Sequence, residues 1–221
     1  MLVTETNEPF SGGTALPGGS SLLRNEPVQA RSSARLTGLL DAAAVIIDDI
    51  GYERLTTAMV AEKAGASIGT VYRYFPDRIA VVEALAIRCV QRLVERVAAT
   101  VESDGVTDWR GAVDVLIDSK VEMYRNEPGF RAVTFGDFDT AERAGGDGRL
   151  PLAAQIADFL VERFEIGRTT EFEFAVEIVT EIGSALISRA FLTVPEGDTR
   201  YIEQCRVIAK RHLESVTGPS A

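Results

Sequence analysis

The 221 residues include one histidine, one tryptophan and two cysteines, and no apolar run approaches the length of a membrane span. A transmembrane helix needs about 20 consecutive apolar residues. A single histidine, His212, supplies too few groups for a histidine-based metal site or for Ser-His-Asp catalysis. We therefore expect a protein that is not an enzyme, that does not contact a membrane, and that holds no metal or cofactor.

The two cysteines, Cys89 and Cys205, lie far apart in helix-like segments. This arrangement is typical of reduced, buried thiols in a cytoplasmic protein. The first residues lack the basic and apolar regions of a secretion signal. Residues 1–30 are rich in Gly, Ser, Pro, Thr, Asn and Glu without a sustained period. They predict a disordered N-terminal arm.

The net charge of −10 argues at first against nucleic acid as a partner, because DNA phosphates attract a positive surface. The charge is unevenly distributed along the chain. Residues 31–80 contain six basic and six acidic residues, whereas residues 81–221 contain 16 basic and 24 acidic residues. Any DNA-binding surface should therefore lie in the neutral segment, with the acidic remainder away from the phosphates.

Apolar residues recur at helical spacing from Ser32 onward, and no strand-like alternation bounded by hairpin turns appears. The pattern predicts an all-α protein of about nine helices. The predicted N-caps are Ser32 or Ser33, Thr56, Ser67 and Asp77, and the predicted helix ends are Gly51, Gly65 and Pro76. Later helices are predicted at about 108–126, 128–135, 151–167, 171–194 and 198–216. Residues 136–150 predict a mobile loop.

Residues 56–75 predict two short helices joined by a turn around Gly65, which is a helix-turn-helix. In this motif the second helix enters the major groove of DNA. The residues expected to pack the two helices together are Val60, Ala61, Ala64, Ile68 and Val71. The residues expected to face outward from the second helix are Ser67, Gly69, Thr70, Arg73 and Tyr74. Gly69 would allow close approach to DNA, which offsets its poor helix propensity of about 1 kcal/mol relative to Ala.

The stretch T-T-x-x-V-A-x-x-A-G-A-S-I-G-T-V-Y-R-Y-F-P-D-R resembles the DNA-binding signature of the TetR-type transcriptional repressors. The resemblance is close over about residues 33–95 and extends to residues 100–221 only in pattern. It implies a helix-turn-helix domain at 31–78, followed by a helical ligand-binding and dimerisation domain at 79–221. The motif and the resemblance together give these expected DNA-binding residues: Thr57, Ser67, Gly69, Thr70, Tyr72, Arg73, Tyr74 and Arg78.

Some positions depart from the family pattern or keep an alternative interpretation. Ala58 and Ile68 are apolar where some members carry polar, base-reading residues, so sequence readout should use few direct contacts and DNA shape. Tyr72 and Tyr74 either contact DNA or belong to the core, and Phe75 is expected in the core.

Residues 171–192 are apolar on almost every side, which is typical of a helix packed between neighbours. Small residues at Gly183, Ser184 and Ala185 would let another helix approach closely. The resemblance implies that the last two long helices form a four-helix bundle between two copies, which then bind a pseudo-palindromic operator in double-stranded DNA. The expected interface residues of this homodimer are Ile182, Gly183, Leu186, Ile187, Ile202, Cys205 and Ala209.

The resemblance also implies a mostly apolar ligand pocket in the middle helices. The candidates are Trp109, Met123, Tyr124, Phe130, Phe135, Phe159 and Glu177. Aromatic residues at helical spacing are, however, more often part of a plain core. Glu177 or Asp137 would select a cationic ligand, unless each is a solvated acid.

The leading hypothesis is therefore a homodimeric repressor that an unidentified small, largely apolar ligand releases from its operator. One alternative is a DNA-binding regulator without a small-molecule inducer. Another, from a different class, is an all-α carrier or enzyme that shares the fold.

Overall fold

The computed structural model describes residues 30–135 and 151–217. Within these ranges the regular secondary structure is entirely helical, with nine α-helices and one short 3-10 turn. The predicted all-α architecture is confirmed. The predicted arm at 1–30 and the predicted loop at 136–150 lie outside the described residues, apart from Ala30.

The helices follow the predicted order, and their ends agree with the prediction to within four residues. They are α1 Ala30–Ile50, a 3-10 turn Tyr52–Arg54, α2 Thr57–Lys63, α3 Ile68–Tyr74, α4 Arg78–Ser103, α5 Trp109–Asn126, α6 Phe130–Phe135, α7 Pro151–Phe164, α8 Thr170–Phe191 and α9 Thr199–Thr217. Helix α7 stops three residues before its predicted end, because Glu165 leaves the helix with a φ of 54°.

Side-chain caps fix the starts of the three helices around the turn. Thr56 accepts a hydrogen bond from the Met59 amide at 3.2 Å, and Ser67 accepts one from the Thr70 amide at 3.1 Å. Asp77 accepts one from the Ala80 amide at 2.9 Å, at the start of α4. Each cap satisfies an amide that the helix leaves without an internal partner, and such caps contribute about 1 kcal/mol. These three predicted caps are confirmed, whereas the predicted cap at Ser32 or Ser33 is wrong, because α1 begins at Ala30 and both serines lie inside it.

Helices α1 to α3 share one apolar core with the beginning of α4. Its centre contains residues that are at most 1% exposed, among them Leu39, Ile47, Val60, Val71 and Phe75. Gly65 ends the α2 segment with a φ of 60°, a conformation that glycine adopts at little cost. The turn therefore directs α3 back across α2, as the motif requires.

Helix α4 runs from this N-terminal core into the C-terminal one. Its first turns bury Val81 and Leu85 where α4 packs against α1, and its later turns bury Leu93 and Val97 where it packs against α5 and α7. One continuous helix of 26 residues therefore joins the two halves of the molecule.

Helices α8 and α9 pack closely against each other, with α5 and α7 beside them. At Gly183 an added Cβ would lie 3.4 Å from the Cys205 sulfur, so the small residue lets α9 of the same chain approach α8. Cys89 and Cys205 are both free and buried. Burial raises the pKa of Cys89 to about 12, which keeps this thiol protonated at neutral pH. None of the helices between residues 30 and 217 that are described combines the length and apolar character of a membrane span.

Candidate nucleic-acid interface and ligand cavity

Helix α3 presents one polar face to solvent and packs its other face on the core. Ser67, Gly69 and Arg73 are exposed, and the Tyr72 side chain is 40% exposed. Thr70 is half-buried, and its hydroxyl lies 2.9 Å from the Ser67 hydroxyl. A short polar helix with an arginine and a tyrosine pointing outward can contact both phosphates and base edges.

The start of α2 lies beside this exposed face. The Thr57 hydroxyl donates a hydrogen bond to the Tyr72 hydroxyl, and the two oxygens are 3.3 Å apart. Two groups that were expected to contact DNA are therefore neighbours, although 15 residues separate them in the sequence.

Two residues of α3 face the opposite way from the prediction. Tyr74 was expected to face outward, but it is only 4% exposed, and its hydroxyl donates to the Ser32 carbonyl at 3.4 Å. Three residues separate Tyr74 from the fully buried Val71, so both lie on the inner face of the helix. The predicted outward orientation of Tyr74 is therefore wrong, and its predicted DNA contact stays a prediction.

Ile68 shows the converse error, since it was expected to pack α3 onto α2. Its side chain is 43% exposed and lies one helical turn before Tyr72, on the same face. An apolar side chain at this position can contact a thymine methyl group in the major groove.

Arg78, at the first position of α4, is exposed and has a local partner. Its guanidinium donates to the Glu53 carbonyl at 2.5 Å and so ties the start of α4 to the 3-10 turn. Its predicted phosphate contact stays a prediction.

The C-terminal half contains a cavity of about 60 Å³ between α4, α5, α7, α8 and α9. Its wall is mostly apolar, with valine, leucine and isoleucine from all five helices. The polar side chains in the wall are Lys120, Gln155 and Thr180, together with the Cys205 thiol. The Thr180 hydroxyl donates to the Val176 carbonyl of its own helix at 2.7 Å.

Of the predicted pocket residues, Phe159 lines this cavity. The other buried aromatic candidates belong to the core beside it. Tyr124 packs against Phe130 and Phe191, with ring centroids 5.3 and 5.0 Å apart. Trp109 carries the Arg110 guanidinium over its ring at 4.5 Å.

The remaining pocket candidates do not contribute to the cavity wall either. Met123 is buried in the same core, and Glu177 is half-buried on α8 without lining the cavity. None of Trp109, Met123, Tyr124, Phe130 and Glu177 lines this cavity, so their place in a ligand pocket stays a prediction. The side chain of Phe135 and all of Asp137 lie outside the described residues.

Lys120 is the cavity residue that sequence reasoning missed. It is 8% exposed, and its ammonium donates to the Ser184 hydroxyl at 2.8 Å. Burial lowers the pKa of Lys120 to about 8, while Cys205 and Glu181 act in the opposite direction. A lysine within the apolar stripe of the predicted helix 108–126 was the available signal.

The predicted dimer residues divide into two groups. Ile187, Ile202, Cys205 and Ala209 are at most 7% exposed within the single chain, so they offer little surface to a second copy, and their assignment to the interface stays a prediction. They are buried because α8 and α9 pack against each other and around the cavity. Ile182 is 37% exposed, and Gly183 and Leu186 are half-buried, so these three stay predictions. Exposed apolar residues of the same helix pair that the prediction did not name include Phe174 and Val207.

An exposed recognition helix on a three-helix core, carried by a long helix from a larger helical half, defines a DNA-binding regulator of the helix-turn-helix class. Two family models match the chain, "Bacterial regulatory proteins, tetR family" at residues 39–85 and "Tetracyclin repressor-like, C-terminal domain" at residues 107–216. A crystal structure of a TetR-family transcriptional regulator from Streptomyces coelicolor is 31% identical, with a TM-score of 0.72 over 82% of this chain and 99% of that one. The chain belongs to the TetR family of DNA-binding transcriptional regulators.

Two further relatives give the range of similarity. A TetR regulator structure from Rhodococcus sp. RHA1 shares the fold with a TM-score of 0.59 at 18% identity, over 87% of this chain and 100% of that one. The nucleoid occlusion factor SlmA of Haemophilus influenzae is 27% identical over 144 residues, which is 65% of this chain. The match spans 61% of the length of that relative.

Proposed function

We propose that this regulator is a homodimeric repressor that a small, largely apolar ligand releases from its operator. The observation that carries the proposal is the position of α4. Its N-cap, Asp77, follows α3 after two residues, and Val94 and Val97 of the same helix line the cavity. A displacement at the cavity therefore moves the support of the recognition helix.

The cavity is so small that a bound ligand would have to change the conformation of the protein. Pockets for drug-sized ligands measure about 300–1,000 Å³, whereas this cavity measures about 60 Å³. A ligand larger than a few atoms must separate the surrounding helices, so it binds better to a conformation in which α4 has shifted. Such differential affinity for two conformations is what couples ligand binding to DNA release.

Exposed apolar residues on α8 and α9 support a homodimer. Phe174 is 60% exposed, and Ile182 and Val207 are 37% and 40% exposed. A single short recognition helix buries too little surface for specific operator affinity. Two copies whose recognition helices lie about 34–36 Å apart would contact successive major grooves of a pseudo-palindrome. In this proposal residues 31–78 bind DNA, and residues 79–221 bind the ligand and dimerise.

The test of DNA binding uses two exposed arginines that differ in location. Arg73 lies on α3, and Arg96 lies in the C-terminal half of α4. We expect Arg73→Ala to weaken binding to a DNA fragment from upstream of the protein's own gene by about tenfold, since a charge-assisted contact contributes about 1.5–3 kcal/mol. Arg96→Ala should bind as the wild type does. Equal binding by all three proteins in a gel-shift titration would refute the assignment of α3.

A second candidate is a DNA-binding regulator that acts without an inducer. The similarity to a nucleoid occlusion factor favours it, because that name refers to the nucleoid and not to a single promoter. Mapping bound sites across the chromosome distinguishes the two candidates. A repressor should occupy one or a few operators, whereas a nucleoid-associated factor should occupy many dispersed sites.

A further inference from the structure

Lys120 places a cation in the wall of an otherwise apolar cavity. The residues around it include Val97, Leu116, Ile156 and Ile187, and the lysine itself is 8% exposed. Removing an unpaired ammonium group from water is strongly unfavourable. A methionine or leucine would fill the same space without that cost. We therefore expect a hydrogen-bond or charge partner that offsets the burial of the Lys120 ammonium.

The described residues supply only part of that compensation. An ammonium group has three hydrogen-bond donors, and the Ser184 hydroxyl accepts one of them at 2.8 Å. Within the described ranges, no carboxylate forms an ion pair with Lys120 and no second acceptor bonds to it. Glu181, whose charge favours the protonated lysine, is itself exposed. Lys120 therefore retains donors and a positive charge for a bound molecule.

We propose that the cavity takes a small monocarboxylic acid, with its carboxylate against Lys120 and Ser184 and its hydrocarbon part against the apolar wall. This inference rests on the proposed ligand response and assigns the ligand its chemical class. One buried cation matches one negative charge, and the small volume favours a short chain or a single ring. The amide of Gln155, which lines the same cavity, can donate a further hydrogen bond.

The charge state of the site makes the affinity dependent on pH. Burial lowers the pKa of Lys120 to about 8, so the group is mostly protonated at pH 7. Glu181 of α8 and Cys205 of α9 are the titratable groups that act on it, and the residues of α4 and α7 in the cavity wall are uncharged. Affinity for an acid should therefore fall as the pH rises above about 8.

The test compares acids with alcohols of the same size. Butanoate, hexanoate, octanoate and benzoate are titrated at pH 7 against the full chain, each beside its matching primary alcohol, by calorimetry and by thermal unfolding. We expect at least one acid to bind and raise the melting temperature, while its alcohol binds about tenfold or more weakly, as the loss of a charge-assisted hydrogen bond implies.

Two lysine variants provide the matched comparison. Lys120→Met keeps the length of the side chain without its charge, and it should weaken acid binding about tenfold or more. Lys210→Met removes a lysine of α9 that pairs with Asp114 at 2.6 Å outside the cavity, and it should leave acid affinity within about twofold. Lys120→Gln serves as a second variant in case Lys120→Met does not fold.

Three results would overturn the inference: equal binding of acids and alcohols, unchanged acid binding by both Lys120 variants, or no binding of any acid in the series. DNA release is measured separately with the same compounds. An acid that binds through Lys120 without changing DNA affinity supports the acid site and contradicts the ligand-released repressor. Release of DNA by an alcohol, with no acid binding, would support the ligand-released repressor and contradict the acid site.

Discussion

Among single residues, Lys120 gives the most specific prediction for the free energy of unfolding. Its pKa falls from 10.5 to about 8 on burial, and one pKa unit corresponds to about 1.4 kcal/mol. Lys120→Met removes this cost but leaves Ser184 without its partner, which costs about 1 kcal/mol. We therefore expect the variant to be more stable than the wild type by about 2 kcal/mol at pH 7, measured by urea unfolding.

The pH dependence of that difference checks its cause. Between about pH 8 and 10.5 the unfolded chain keeps a proton on Lys120 that the folded chain has lost, so wild-type stability gains with pH. The advantage of Lys120→Met should shrink across this window. The raised pKa of Cys89 acts alike in both proteins and cancels in the comparison. A difference that stays constant with pH would show that burial of the charge is not its source.

Ile68 and Val71 separate recognition from folding on the same short helix. Ile68 is 43% exposed and Val71 is fully buried. Ile68→Ala should change the free energy of unfolding by about 0.5 kcal/mol or less while weakening operator binding several-fold, because it removes an apolar contact in the groove. Val71→Ala should cost about 2 kcal/mol by leaving a cavity. Chemical denaturation and DNA titration of both variants test the pair, and unchanged DNA affinity of Ile68→Ala would contradict it.

These residues also show where sequence reasoning succeeds and fails. The caps at Thr56, Ser67 and Asp77 were predictable because a cap depends on a side chain and an amide three residues away. The orientation of Ile68 and Tyr74 was not, since two turns of helix are too few for the period to identify the inner face.

At the scale of helices, two N-caps of the same chemistry lie at junctions with different roles. Asp77 accepts from the Ala80 amide where α4 leaves the recognition helix, and Asp108 accepts from the Gly111 amide at the start of α5. Both distances are 2.9 Å. We expect Asp77→Ala and Asp108→Ala each to lose about 1 kcal/mol of stability. Only Asp77→Ala should also weaken DNA binding, because Asp77 begins the helix that follows α3 after two residues, whereas α5 lies in the C-terminal half. Equal DNA affinity of the two variants would contradict the role given to the α3–α4 junction.

Helix α8 shows why the helices were easier to predict than the contacts between them. Its apolar character on nearly all sides correctly indicated a helix packed between others. The identity of those neighbours could not be read from it. The Cys205 sulfur of the same chain packs against Gly183, and Lys120 of α5 donates a hydrogen bond to Ser184. Such contacts span tens of residues, and they depend on how whole helices pack, which local periodicity does not specify. The cavity was therefore predicted in its general region, but of the predicted pocket residues whose side chains are described only Phe159 lines it.

At the scale of the whole molecule, association must work against charge. Each chain carries a net charge of −10, so two copies repel each other, and burial of apolar surface must supply the attraction. Phe174, Ile182 and Val207 provide exposed apolar surface on α8 and α9, in the acidic half of the chain. A new negative charge on this face would add repulsion and remove apolar contact at once.

Val207 and Val45 make that expectation testable with a matched control. They are 40% and 41% exposed, on α9 and α1 respectively. Val207→Glu should shift the protein from dimer to monomer at micromolar concentration in sedimentation velocity, because a carboxylate in an apolar interface loses its hydration without a partner. Val45→Glu introduces the same charge outside the proposed interface and should remain a dimer. Because two linked recognition helices bind an operator far more tightly than one, the Val207 variant should also lose operator affinity while its helical circular dichroism is unchanged. If the two variants dimerise with equal affinity, α9 does not belong to the interface, and Val207 is an ordinary surface residue.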